Sequence, residues 1–337
     1  MPIHSHNPDF CWYNVNAVLR GYKDFTKMAI TTKQFQRFTD IDLVWDFLVD
    51  IYEEGSDRGV AAPFFEHAIK ASWMDSSYSY LDRFWLDDGK VVAFVFYEAP
   101  VTDIYFNVRK GYEFLADELI EYAVTTMPNF GNDQQFVLFG GQQFLKDAAA
   151  KYGYKQVYEF DDHIFDFKNE LNYELPEGYH FVEDEDIDVV KLSKLCWYGF
   201  GHGDEGEFAD YDKYDDSTDW TPAKSHKDIV ADAMAPSPHS THDLDIIIAD
   251  ENGEYVCYSG MWWIPENKLA YMEPLCTSPE HRHKGLAAAA LTRHYRRMKD
   301  LGATHMTGGE NPFYEKIGYG KGLHWSFWKK QDIAEQD

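Results

Sequence analysis

The chain repeats itself at a separation of about 165 residues, and that repeat limits the folds open to it more than any other feature. "DDGKVVAFVFYEAP" (87–100) and "ENGEYVCYSGMWWIP" (251–265) each read as a glycine turn, an apolar strand and a proline. "VLFGGQQFLKDAAAKYGYKQVYEFDDHIFDF" (137–167) parallels "HMTGGENPFYEKIGYGKGLHWSFWKK" (305–330). Both read as strand, Gly-Gly, short helix, K-x-G-Y and an aromatic strand. A period this long means duplicated domains; solenoid repeats typically run about 20–50 residues. The 337 residues suffice for two domains of ordinary size.

The polar stretch "KNELNYELPEG" (168–178), punctuated by Pro176 and Gly178, sets the expected boundary. The division is an extension at 1–25, domains at 26–170 and 171–330, and a tail at 331–337. Each half has mixed α/β character. In the second half the patterns predict strands at 179–183, 244–250, 255–264, 268–277, 304–308 and 322–329. Helices are predicted at 186–197, 223–234, 284–300 and 311–317. The acidic, Gly- and Ser-rich segment 201–242 reads as loop around its one helix.

Charge narrows the function. Residues 1–168 carry 26 Asp+Glu against 15 Lys+Arg and the remainder 32 against 16, so both halves contribute to the net −27. Such a surface repels phosphate backbones, which disfavours nucleic acid, and attracts amines; solubility is the plainer reason for the acidity. No apolar run approaches the roughly 20 residues of a membrane helix. The N-terminus lacks the basic-then-apolar pattern of a signal peptide. Cys11, Cys196, Cys257 and Cys276 are scattered without C-x-x-C, which fits reduced thiols in a cytoplasm. "HSH" (4–6), His202 and "HSTH" (239–242) lack the carboxylate or cysteine partners of a metal site, so no metal is expected.

Against this acidity, "PEHRHKGLAAAAL" (279–291) is a cationic turn before a helix of small residues. A helix start presents unpaired N–H groups and partial positive charge, and an anion docked there receives several hydrogen bonds. Gly285 lets the backbone approach a diphosphate, Ala287 keeps the next turn slim, and Arg282 and Lys284 add charge. There is no G-x-x-x-x-G-K-[ST] and no G-x-G-x-x-G.

The order R-x-x-G-x-A between a strand and a long helix resembles the acetyl-CoA pyrophosphate loop of the GNAT superfamily of acyl-CoA N-acyltransferases. "EPLCTSPEHRHKGLAAAAL" (273–291) and "ENPFYEKIGY" (310–319) extend the likeness. The whole chain is similar to tandem-GNAT architectures such as mycothiol synthase-like enzymes. The resemblance implies two α/β domains, each a mostly antiparallel mixed sheet splayed at its centre and flanked by helices. It implies acetyl-CoA as co-substrate and direct attack by a small-molecule or peptide amine. Its loop positions fall on Arg282, His283, Lys284, Gly285, Leu286 and Ala287. Main-chain groups of Leu275, Cys276 and Thr277 would meet the pantetheine, and Asn311 would contact CoA or simply cap its helix. Tyr314 matches the family's proton donor to the CoA sulfur; a packing tyrosine is the plain alternative. Glu273 would serve as general base or hold the ammonium, or be an ordinary strand-edge glutamate. Cys276 has no base beside it in sequence and reads as an inert thiol. Asp204, Glu205 or Glu207 in the loop 199–216 could receive a cationic acceptor, if that loop is more than a solvated lid.

The first half departs from the pattern. In "FNVRKGYEFLADEL" (106–119), Val108 stands three residues before Gly111 and Glu113 two after it. Aligning the K-x-G-Y repeats puts Ala149 where Tyr314 falls. A degenerate structural domain is therefore expected at 26–170 and the working site at 171–330. A non-catalytic acyl-CoA sensor on the same fold is the main alternative. A Fem-type aminoacyl transferase is the other, disfavoured because a tRNA-borne donor needs no CoA loop.

Overall fold

Glycine turns and apolar strands in both halves combine into one continuous twelve-stranded mixed sheet. The computed structural model describes residues 30–331 except 56–57, 184–186, 218 and 235–236. The 1–25 extension, with Cys11 and the "HSH" histidines, lies outside the described residues, as does the tail beyond residue 331.

The first half runs β1 (Thr31–Gln34), α1 (Ile41–Ile51), α2 (Ala62–Lys70), β2 (Arg83–Asp87), β3 (Lys90–Tyr97) and β4 (Asp103–Val108). It continues with α3 (Ala116–Thr126), β5 (Gln135–Phe139), α4 (Gln143–Lys151) and β6 (Tyr154–Asp166). Asp88 and Gly89 take φ of 48° and 78° between β2 and β3, the left-handed pair that a tight hairpin needs. From Val91 onward β3 is buried throughout, so the sheet is covered on both faces here.

The second half runs β7 (Tyr179–Phe181), α5 (Val189–Gly199), α6 (Pro222–Met234), β8 (Ile246–Asp250), β9 (Tyr255–Ile264) and β10 (Leu269–Thr277). Then come α7 (Leu286–Leu301), β11 (His305–Thr307), α8 (Phe313–Lys316) and β12 (Gly320–Lys330). The Pro/Gly-punctuated stretch 168–178 is the connector from β6 to β7. Among the described residues no helix is long and apolar enough to cross a membrane.

The final strands are exchanged between the halves. The sheet order is β1-β2-β3-β4-β5-β12-β6-β11-β10-β9-β8-β7, so β12 lies beside β5 and β6 beside β11. The repeat reading ended each half on its own last strand, whereas each half completes the other's sheet. Aromatic pairing accounts for it: β6 and β12 run antiparallel from Gly320↔Ile164 to Lys330↔Tyr154. Phe160 stacks on Trp325 at 5.7 Å between ring centroids and on Phe327 at 5.8 Å. Elsewhere along the seam, the buried Glu66 carboxylate accepts hydrogen bonds from the His239 main-chain N–H (2.9 Å) and from Nδ1 (2.7 Å). Trp45 stacks on that imidazole at 4.1 Å. The site below is built against this joined interface.

Candidate active site

Two parallel strand pairs diverge, one in each half, and the second opens into a notch. β10 pairs with β11 only at Leu269↔His305 and Ala270↔Met306. Beyond them the Met272 N–H goes to the Thr307 hydroxyl at 2.8 Å, and no ladder bond joins Leu275–Thr277 to β11. On its other edge β10 pairs with β9, with a register jump between Met272 and Leu275 where Pro274 cannot donate. Gly260 faces this bulge. A Cβ on it would lie 2.4 Å from the Glu273 carbonyl oxygen. Gly260→Ala should therefore displace the bulge, lose about 1–3 kcal/mol of stability in urea unfolding and lower turnover. Unchanged stability would show that the bulge yields freely.

The cationic turn closes the notch at the end of β10. Gly285 has φ +87° and caps α7 without any side-chain hydrogen bond, so the first-turn amides stay open to an anion. Leu286 and Ala288 to Ala290 are buried, Ala287 is partly buried, and His283, Lys284 and Gly285 are exposed. This arrangement fits a diphosphate. Arg282 differs from the sequence expectation. Its Nε donates to the Thr277 carbonyl (3.1 Å) and its Nη2 to the Gly199 carbonyl (2.9 Å). It ties the loop to the ends of β10 and α5, and Lys284 and His283 stand exposed on the turn.

The equivalent turn in the first half carries its own anion. The Gly111 N–H donates to Glu113 Oε2 at 2.9 Å, and Arg58 pairs with Glu113 Oε1 at 2.7 Å. That pairing and the main-chain N–H bonds hold the Glu113 carboxyl below its usual range despite partial burial.

Tyr314 is packed beside β10, and Glu273 lies on that strand, near enough for its charge to act on the phenol. Tyr314 is buried with Met272, Tyr295 and Tyr319 on the α7 face. Its ring requires Gly308, whose Cβ would sit 2.7 Å from it. Burial, then the charge of Glu273, raises the phenol well above its ordinary value, so it is a proton donor at neutral pH. Glu273 lines two cavities together with Tyr271. Burial, then the charge of Glu98, pushes its carboxyl up to about 7.

Cys276 is buried. The neighbouring Cys196 thiol and burial hold its own thiol well above the usual value, so it is inert. Leu275 packs toward α7, and the Thr277 hydroxyl meets Cys257 Sγ at 3.5 Å. Asn311 stands two residues before α8, its Oδ1 accepting the Phe313 N–H at 2.9 Å.

Two cavities of about 600 and 630 Å³ share Phe64, Tyr271 and Glu273. The first lies between α2 of the first half and α5, α6 and β10 of the second. Phe200 and His202 of the loop after α5 line it, but Asp204, Glu205 and Glu207 do not. Its carboxylates are Glu98, Asp219, Asp228 and Glu273. Glu98 escaped the sequence reading. Its one signal was a charge ending the apolar run "KVVAFVFY". Burial above all, with Asp103 nearby, raises it to about 7, and it accepts a 3.3 Å hydrogen bond from the Tyr105 hydroxyl. Among the described residues no three His, Cys, Asp or Glu side chains cluster as metal ligands.

Residues 194–319 match the family model of the acetyltransferase (GNAT) family. No curated protein matches the chain by sequence. Among solved structures, a GNAT-family acetyltransferase from Colwellia psychrerythraea superposes with a TM-score of 0.56 at 8% identity, over 89% of this chain and 100% of that one. A GCN5-related N-acetyltransferase from Sphaerobacter thermophilus gives 0.53 at 12%, over 89% and 95%. A tandem GNAT protein from the clavulanic acid biosynthesis pathway gives 0.53 at 12%, over 90% and 99%. At these identities the likeness is one of fold. Residues 194–319 thus match the GNAT acetyltransferase family, within a chain that has the fold of tandem GNAT proteins.

Proposed function

We propose that the second half transfers an acetyl group from acetyl-CoA to an amine by direct attack, and that the first half, whose turn holds its own glutamate, binds no acyl-CoA. The observation that carries this is Glu273 lining both cavities beside the β10 bulge, with Tyr314 near enough to feel its charge and the open amides of α7 beyond the strand's end. The α7 amides, Lys284 and His283 would hold the diphosphate. The free edge of Leu275–Thr277 would hold the pantetheine and polarise the thioester carbonyl. Glu273 accepts the proton that the amine nitrogen loses as its C–N bond forms. Tyr314 donates its hydroxyl proton to the sulfur as the C–S bond breaks, and the two protons re-equilibrate through solvent.

The test is thiol release from acetyl-CoA in the presence of an amine panel. Tyr314→Phe should lower turnover about 100-fold while changing acetyl-CoA affinity little. An unchanged rate removes Tyr314 from the mechanism. Acetyl-CoA binding with no turnover against any amine would favour a sensor.

A further inference from the structure

The cavity between the halves says more about the acceptor than the sequence did. Phe64, Trp73, Phe200, Trp220, Tyr258 and Tyr271 line it, beside the imidazoles of His67 and His202. Four carboxylates face one lysine there. That lysine is committed: Lys224 Nζ donates to the carbonyls of Ser217 and Asp219. Asp228 accepts the Ser72 N–H at 2.7 Å. Asp219 is exposed, which leaves Glu98 and Glu273, one from each half; Glu98 also accepts the 3.3 Å hydrogen bond from Tyr105. No cation of the described residues acts on either; each feels burial and acidic neighbours instead. Glu273 has no hydrogen-bond partner among the described side chains and main-chain groups. Two enclosed carboxylates with no countercharge are a costly arrangement that a ligand ammonium relieves. Rings around a cation add to the same preference.

We infer that this cavity takes a primary ammonium carried on a flat, ring-bearing body without an anionic group, and that Glu98 of the first half is a positioning residue that holds the ammonium beside Glu273. The inference rests on the acyl-transfer reading. It gives the first half a task at the acceptor site although its own turn is blocked. A carboxylate on the acceptor would meet like charges, and the one lysine among the described lining residues is already engaged.

The test compares tryptamine and phenethylamine with tryptophan, phenylalanine and spermidine, using the full chain and acetyl-CoA. Tryptamine should exceed tryptophan in kcat/KM by about 100-fold. Glu98→Gln should raise KM for tryptamine about 10-fold or more and leave acetyl-CoA affinity unchanged. Trp73→Ala, at the rim of the cavity, should also raise that KM, which guards against a Glu98 variant that fails to fold. Turnover that prefers tryptophan or spermidine, or an unchanged KM in both variants, overturns the inference and leaves acetyl transfer standing. Failure of the unaltered chain to bind acetyl-CoA overturns both.

Discussion

Gly285→Glu abolishes acetyl-CoA binding and leaves the fold intact: this is the expected result at the anion turn. Space is not the obstacle, since a Cβ at Gly285 meets only Pro176 Cγ, at 4.0 Å. The φ of +87° costs a side chain roughly 1–2 kcal/mol, which a domain of this size tolerates. The decisive change is a carboxylate at the open amides of α7, where it competes with and repels the diphosphate. The protein already contains this arrangement in its first half, where Glu113 occupies the Gly111 amide. Titration calorimetry should show the Kd rising by at least about 100-fold, roughly 2.7 kcal/mol. Gly285→Ala carries the strain without the charge and should lose far less. Retained binding in the glutamate variant, with an unaltered circular dichroism spectrum, would overturn the loop assignment.

Local periodicity carried most of the second half. β9 occupies 255–264 as its pattern predicts, β10 begins one residue inside its predicted span, and α7 runs 286–301 against a predicted 284–300. These elements bury continuous apolar faces or are bounded by glycine, so their neighbours in sequence determine them. The notch was legible for the same reason, because Pro274 breaks a ladder wherever it stands. What depended on distant partners was not legible. The exchange of β6 and β12 follows from Phe160 meeting Trp325 and Phe327, and a repeat alignment gives each half an equal claim on its own strand. Arg282 looked like a phosphate ligand, yet its hydrogen bonds go to carbonyls, one of them 83 residues away. Glu98 is reached only when the halves close on each other. The sequence pointed to the turn proposed for acyl-CoA, which is local, and missed the cavity proposed for the acceptor, which residues of both halves line.

Glu273→Gln should lower kcat/KM by about 10²–10⁴-fold, because the amide keeps the shape but accepts no proton. The pH profile identifies the cause more sharply than the rate. With the carboxyl pushed up to about 7, the base is protonated and idle at lower pH, so kcat/KM climbs as pH rises through about 7. In the glutamine variant kcat should lack that limb, while kcat/KM keeps a residual rise from Glu98, which holds the ammonium and is itself raised to about 7. Glu98 is raised to about 7 as well, so the apparent value belongs to the pair. This coupling fixes the direction of a third profile. Glu98→Gln removes a like charge from Glu273, which eases its ionisation, so the limb should move to lower pH and remain present. A kcat limb near 7 that survives in Glu273→Gln would place the base elsewhere. A limb that moves upward in Glu98→Gln would show that the two carboxylates do not repel across the seam.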